Sequence, residues 1–165
     1  TCMALVGPAS IGPPYRDKHG KQHSGDLYIP AIGVEKMLVA VDPDEELQEV
    51  YMAPYCPLDP DPQYKPPMAK VHWVLRFYNQ YASMLETPPS IGWDGTLYMT
   101  FNNYLYAIDP QKMAELAPSY PNLAVPELEA QAKGGIKWKV GVGGIYASPA
   151  IGPNNIISLG TIGVS

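Results

Sequence analysis

Three histidines and a scatter of carboxylates are the side chains of this sequence best suited to chemistry. His19 and His23 stand four residues apart with Asp17 just before them, a set that could chelate a metal ion if the loop folded suitably. Interleaved with Arg16, Lys18 and Lys21, the same residues also read as an ordinary solvated loop. Asp59 and Asp61, with Glu45 and Glu46, offer the hard oxygens that calcium takes. Their spacing lacks an EF-hand glycine and terminal glutamate, and Pro60 and Pro62 restrict the segment. His72 has no nucleophile partner, and Ser24 merely adjoins His23, which does not make triad geometry. Gly141-Val142-Gly143-Gly144 leads into Ile145 to Pro149, which cannot open a helix, so it reads as a turn and not a dinucleotide fingerprint. No catalytic, cofactor-binding or metal-binding residue is assigned on these grounds.

Composition narrows the setting. A net charge of −5 and the absence of a Lys/Arg run argue against nucleic acid as a partner. No apolar stretch approaches the roughly 20 residues of a membrane span. Nineteen Pro, 15 Gly and 12 Tyr, with only 16% charged residues, favour many short strands over long helices. The chain is expected to be all-β. Cys2 and Cys56 permit one disulfide, which could stabilise the fold by several kcal/mol, on the order of 4; two separate buried thiols are the alternative.

The elements that must position these residues recur along the chain. Gly7 to Gly12 resembles Pro88 to Gly92 and Ser148 to Gly152, each a small-residue run closed by Ile-Gly. Each is followed by a turn and an apolar pair, Leu27-Tyr28, Leu97-Tyr98 and Ile156-Ile157. Met37 to Pro43 matches Tyr104 to Pro110, both ending in Asp-Pro at Asp42 and Asp109. Val71 to Leu75 matches Ile136 to Val140, with Trp73 and Trp138 in register. Asn102-Asn103 suits the positive φ of a tight hairpin, and Asp94-Gly95 and Asn154-Asn155 mark turns at corresponding places. Four strands per unit, with repeated glycine and aromatic marks, is the signature of a β-propeller blade. Trp73 and Trp138 are expected to fill the space between adjacent blades, and Gly12, Gly92 and Gly152 to mark the start of each.

Three segments carry a family resemblance: Pro89 to Asp109 (PSIGWDGTLYMTFNNYLYAID), Gly134 to Val140 (GGIKWKV) and Tyr146 to Thr161 (YASPAIGPNNIISLGT). Together they resemble the repeat of pyrroloquinoline-quinone (PQQ)-like β-propellers, the quinoprotein alcohol dehydrogenase type. The resemblance implies a partial propeller over 1–165. Its first blade would run from about 4 to 77 with insertions at 13–25 and 44–69. The second would run from about 87 to 141 with an insertion at 111–134, two short helices being expected near 111–116 and 126–132. A third would start near 147 and be truncated.

About two and a half blades cannot close a ring of the usual 4–8. The chain is therefore expected to be part of a longer protein, or to complete a ring with another chain. Enzymes of the resembled family hold PQQ with calcium over the propeller axis, using a catalytic Asp, a stacking Trp and often paired adjacent cysteines. None of these carries over, since Trp73, Trp138, Asp42 and Asp109 match structural repeat positions. The resemblance thus implies a non-catalytic scaffold for a protein partner or for the remaining blades, in an extracytoplasmic compartment, with no cofactor. The alternative is a piece of a PQQ-dependent alcohol or sugar dehydrogenase whose active-site blades lie elsewhere.

Overall fold

A computed structural model describes residues 4–5, 8–17, 19–32, 36–46, 69–77, 87–143 and 147–160. The described chain is mostly β, arranged in several antiparallel sheets, none of them closed. Cys2 and Cys56, Asp59 and Asp61, and most of the 44–69 insertion lie outside the described residues. No helix among the described residues is long and apolar enough to cross a membrane.

The first sheet is a meander. Strands β1 (Ala4–Leu5) and β2 (Ser10–Ile11) line one edge of β5 (Leu27–Ile32), whose other edge pairs with β6 (Lys36–Glu46), followed by β7 (Ala69–Phe77). A hairpin of β3 (Tyr15–Arg16) and β4 (Gln22–His23) interrupts this order within the 13–25 insertion. The second sheet repeats the meander with β8 (Ser90–Ile91), β9 (Leu97–Phe101), β10 (Tyr104–Ile108) and β12 (Ile136–Gly141). Between β10 and β12 come helix α1 (Pro110–Leu116), strand β11 (Ala124–Pro126) and helix α2 (Glu127–Ala132). A last pair, β13 (Ala150–Ile151) and β14 (Ile157–Ser158), begins a third unit.

Local chemistry accounts for the turns. Asn102 and Asn103 adopt φ of 48° and 65°, the left-handed region that a two-residue hairpin needs and that Asn tolerates. Asp109 caps α1 by accepting from the amides of Gln111 and Lys112, with Pro110 preset for the first helical turn. The two helices fall where the sequence places them. Strand β11 was not anticipated: it pairs in parallel with β7, so the second unit's insertion covers an edge of the first sheet.

The two meanders share one cross-strand row. Ser10, Tyr28, Ala40 and Trp73 stand side by side across the first sheet, and Ser90, Tyr98, Ala107 and Trp138 across the second. Each row is followed by a register slip that leaves the residue before Trp out of the pairing, His72 in one sheet and Lys137 in the other. The motif glycine lets the Tyr ring lie on the backbone: a Cβ on Gly12 would sit 3.0 Å from the Tyr28 ring, and one on Gly92 2.9 Å from Tyr98. Ile157 and Ser158 take the places of Leu97 and Tyr98 in the third unit, one residue later than the sequence comparison placed them. The step from the Ile-Gly mark to the returning strand is six residues in both units, Ile91 to Leu97 and Ile151 to Ile157, so counting from that mark gives Ile157.

Strand alternation builds two layers of core. Tyr28, Leu38, Ala40, Trp73, Leu75 and Phe77 of the first sheet pack against Leu97, Met99, Phe101 and Ile108 of the second. The opposite face of the second sheet, Tyr98, Leu105 and Ala107, packs against Ile151, Ile157 and Leu159 of the third unit. Strand β9, sandwiched on both sides, is buried along its whole length. Trp73 is fully enclosed beside Tyr28, ring centres 5.8 Å apart, whereas Trp138, 5.9 Å from Tyr98, stays 40% exposed. Only two described strands oppose the second sheet's outer face, which is too little to cover it.

Candidate functional site

The same repeat position carries different chemistry in the two sheets. In the second, Lys137 Nζ donates to Thr96 Oγ1 at 2.7 Å and lies 3.6 Å from Asp94. Asp94 also accepts from the Thr96 hydroxyl (2.8 Å) and amide (3.1 Å). Those bonds, with the Lys137 charge, outweigh the slight desolvation and hold its carboxyl below the usual aspartate range. Asp94 therefore adds stability that is complete above the unfolded-state pKa and is lost as pH falls through the lower folded value. A carbonyl-carbon NMR titration should place the Asp94 midpoint below 3.8, and Thr96→Val should move it upward. A midpoint at or above the ordinary value would reject this bonding.

In the first sheet the corresponding residues are His72 and Asp26, with His72 Nδ1 3.0 Å from Asp26 Oδ2. Asp42 of β6 adds a second carboxylate, its Oδ2 3.6 Å from His72 Nε2. The β3–β4 hairpin then folds onto the sheet and delivers two more groups. His23 Nδ1 reaches the same Asp42 Oδ2 at 2.7 Å, and Tyr15 stacks on the His23 ring at 4.8 Å with planes 3° apart. The Tyr15 hydroxyl donates to Asp26 Oδ1 at 3.2 Å. Asp44 accepts from the Ser24 amide and, at 3.1 Å, from its hydroxyl, while the Asp44 amide donates to Asp42 Oδ1 at 2.8 Å.

His23 and Asp42 are enclosed, 2% and 1% exposed, whereas Asp44 lies at the surface. Burial alone would lower the His72 pKa. The hydrogen bond to Asp26 and the charges of Asp26 and Asp42 more than reverse this, against Lys70, and raise it above the ordinary histidine value. Burial first, then the Asp26 and Asp42 charges, pushes the Tyr15 phenol far up, so Tyr15 is a hydrogen-bond donor here and no base. His72 opens onto a cleft of about 1070 Å³ between the first two sheets, faced by Thr96, Lys137 and Trp93. No protein-family model matches this chain, nor does any curated protein.

Of the sequence grouping Asp17, His19 and His23, only His23 belongs to this constellation. The hairpin keeps Asp17 near His23, at 3.7 Å, and turns His19 away. His19 is exposed, and its amide, like that of Lys21, donates to Asp17 and closes the turn. His23 points inward to partners on β6. His72 was set aside for want of a nucleophile and Asp42 as a strand end, and Asp26 and Asp44 were missed. A signal was present: aligning the repeats puts His72 on Lys137, and Asp26-Leu27 on Thr96-Leu97. Of the calcium grouping, Asp59 and Asp61 lie outside the described residues, and Glu45 is bonded to Lys70 and faces Lys21 at 3.5 Å.

The inner strands of the three units converge on a shallow depression lined by Ser10, Ile11, Ser90, Ile91, Ala150 and Ile151 with neighbouring Ser and Pro residues. Among the described residues its lining offers no carboxylate of the kind that holds calcium and no aromatic ring. Here the Ser10 hydroxyl donates to the Pro89 carbonyl and the Ser90 hydroxyl to the Pro149 carbonyl. The Ser148 hydroxyl closes back onto the Pro88 carbonyl at 2.8 Å.

Proposed function

We propose that the chain is a run of β-propeller blades, two whole and one begun, of the PQQ-like kind, and that it acts as a non-catalytic scaffold joining a protein partner or further blades. One observation carries the reading: consecutive meanders that share the Ser-Tyr-Ala-Trp row are joined at their inner strands by the same serine-to-proline-carbonyl bond. Successive units related in this way stack about an axis, and a stack of fewer than about four blades leaves a face to be covered from outside. The insertions and Trp93, 82% exposed on the turn after β8, provide contact surface at the rim. Sedimentation of the purified chain is expected to show an assembly heavier than one 18.0 kDa copy. A monomer that unfolds in one cooperative step would overturn the reading. Quinone-dependent absorbance on adding micromolar PQQ with calcium would favour the dehydrogenase alternative instead.

A further inference from the structure

Three side chains of β4 and β6 stand close enough together to hold a metal ion: His23, Asp42 and Asp44 each present a ligand atom, all within 4.8 Å of one another. His72 of β7 lies outside that group of three, with its Nε2 3.6 Å from the Asp42 carboxylate. A tetrahedral zinc ion, with bonds of about 2.0–2.1 Å, needs donors roughly 3.3 Å apart. The 2.7 Å and 3.6 Å separations of the two imidazoles from Asp42 bracket that spacing.

The surroundings fit the same purpose. Each imidazole turns one nitrogen towards Asp42 and has a carboxylate behind the other: Asp26 at 3.0 Å behind His72, Asp17 at 3.7 Å behind His23. The hydrogen-bonded pairing of His72 with Asp26 is the usual means of fixing the orientation of a ligand imidazole at a metal. The Asp17 distance is too long for a hydrogen bond, so His23 Nε2 is a buried polar atom without a hydrogen-bond partner. Four carboxylates, Asp17, Asp26, Asp42 and Asp44, surround two imidazoles, while the nearby lysines Lys21 and Lys70 are engaged by Glu45. A small dication is the charge this set lacks.

We propose that His23, Asp42 and Asp44, with His72 closing in as the fourth ligand, form a binding site for a zinc-class divalent cation, with Asp26 orienting the His72 imidazole. Two nitrogens and two carboxylate oxygens suit zinc better than calcium or magnesium, which take oxygen alone. The ion would bind where the 13–25 hairpin meets the sheet and would fasten the one to the other. The site does not depend on the propeller reading, since it is built within the first sheet and its own insertion.

The test uses the whole chain, stripped with a chelator and with both cysteines alkylated so that thiols cannot compete. Titration with zinc chloride, followed by calorimetry, should give one ion per chain with a dissociation constant of about 1 µM or tighter. His72→Ala, which alters a partly exposed residue, should weaken binding at least about tenfold. Lys137→Ala, at the matching place in the second sheet, should leave it unchanged. Cobalt(II) should give the visible bands of a four-coordinate N/O site, and these should vanish in Asp42→Asn. Binding no tighter than about 100 µM, or tight binding that survives both His72→Ala and Asp42→Asn, would overturn the proposal.

Discussion

Trp73→Ala should cost about 3–5 kcal/mol of folding stability, the range for removing a large, fully buried aromatic. Trp138→Ala should cost only about 1–2 kcal/mol, because part of that ring is already in water. The sequence gives the two tryptophans the same rank, and only what lies across from each separates them. Trp73 looks onto a complete four-stranded sheet, Trp138 onto two short strands. The Trp73 indole N–H makes no hydrogen bond, so Trp73→Phe loses volume without stranding a partner and should fall well short of the alanine value. Urea denaturation at matched m-values decides the comparison. Equal losses at the two positions would mean that the second sheet is covered as fully as the first.

Gly25→Ala is expected to be the most disruptive single methyl added to the described chain, on the order of 3 kcal/mol. Gly25 has φ of +113°, and a Cβ there would stand 2.1 Å from the Gly12 carbonyl oxygen. That oxygen belongs to the backbone and cannot swing aside as a side chain could. The clash lies at the hinge where the hairpin rejoins β5, so the hairpin should be levered off the sheet. Hydrogen exchange at residues 15–23 should quicken, and Tyr15 and His23 should lose their stack. Gly20 provides the control: it has φ of +82° with open space around it, so Gly20→Ala carries only the backbone penalty of about 1–2 kcal/mol. If the two substitutions cost the same, the hairpin is not seated against Gly12.

Much of the architecture was legible because it is written in short-range marks. Alternation in Thr96 to Phe101, the Asn102-Asn103 turn and the Asp109-Pro110 helix start are decided by neighbours within a few residues, and each formed as its chemistry requires. The repeat comparison also aligned Ala40 with Ala107 and Trp73 with Trp138, and in each sheet that Ala and that Trp stand opposite each other. It misplaced the third unit by one residue, because Ile156 and Ile157 are both apolar and only the count from Ile151 tells them apart. It gave no hint of β11, because a strand that pairs in parallel across two units has no local partner to reveal it.

The site was less legible for a related reason. His19 and His23 look like a pair in sequence, since residues four apart share a face on a helix or a strand, but here His19 sits in the hairpin turn and His23 in β4. The hydrogen-bond partner of His23, Asp42, lies on β6, and the slip that frees His72 from pairing lets it reach the same carboxylate from β7. Nothing local states that an insertion will fold back over the sheet instead of extending into solvent.

The sequence by itself determined the strands, their turns and the repeated order in which they follow one another, since these depend on side-chain alternation and backbone preferences within a few residues. The tertiary structure alone decided that Trp73 is sealed while Trp138 is not, that β11 joins the first sheet, and that Tyr15, His23, Asp26, Asp42 and His72 meet. Those outcomes depend on which surfaces remain to be buried once the sheets stand face to face, and burial is a property of the assembled molecule.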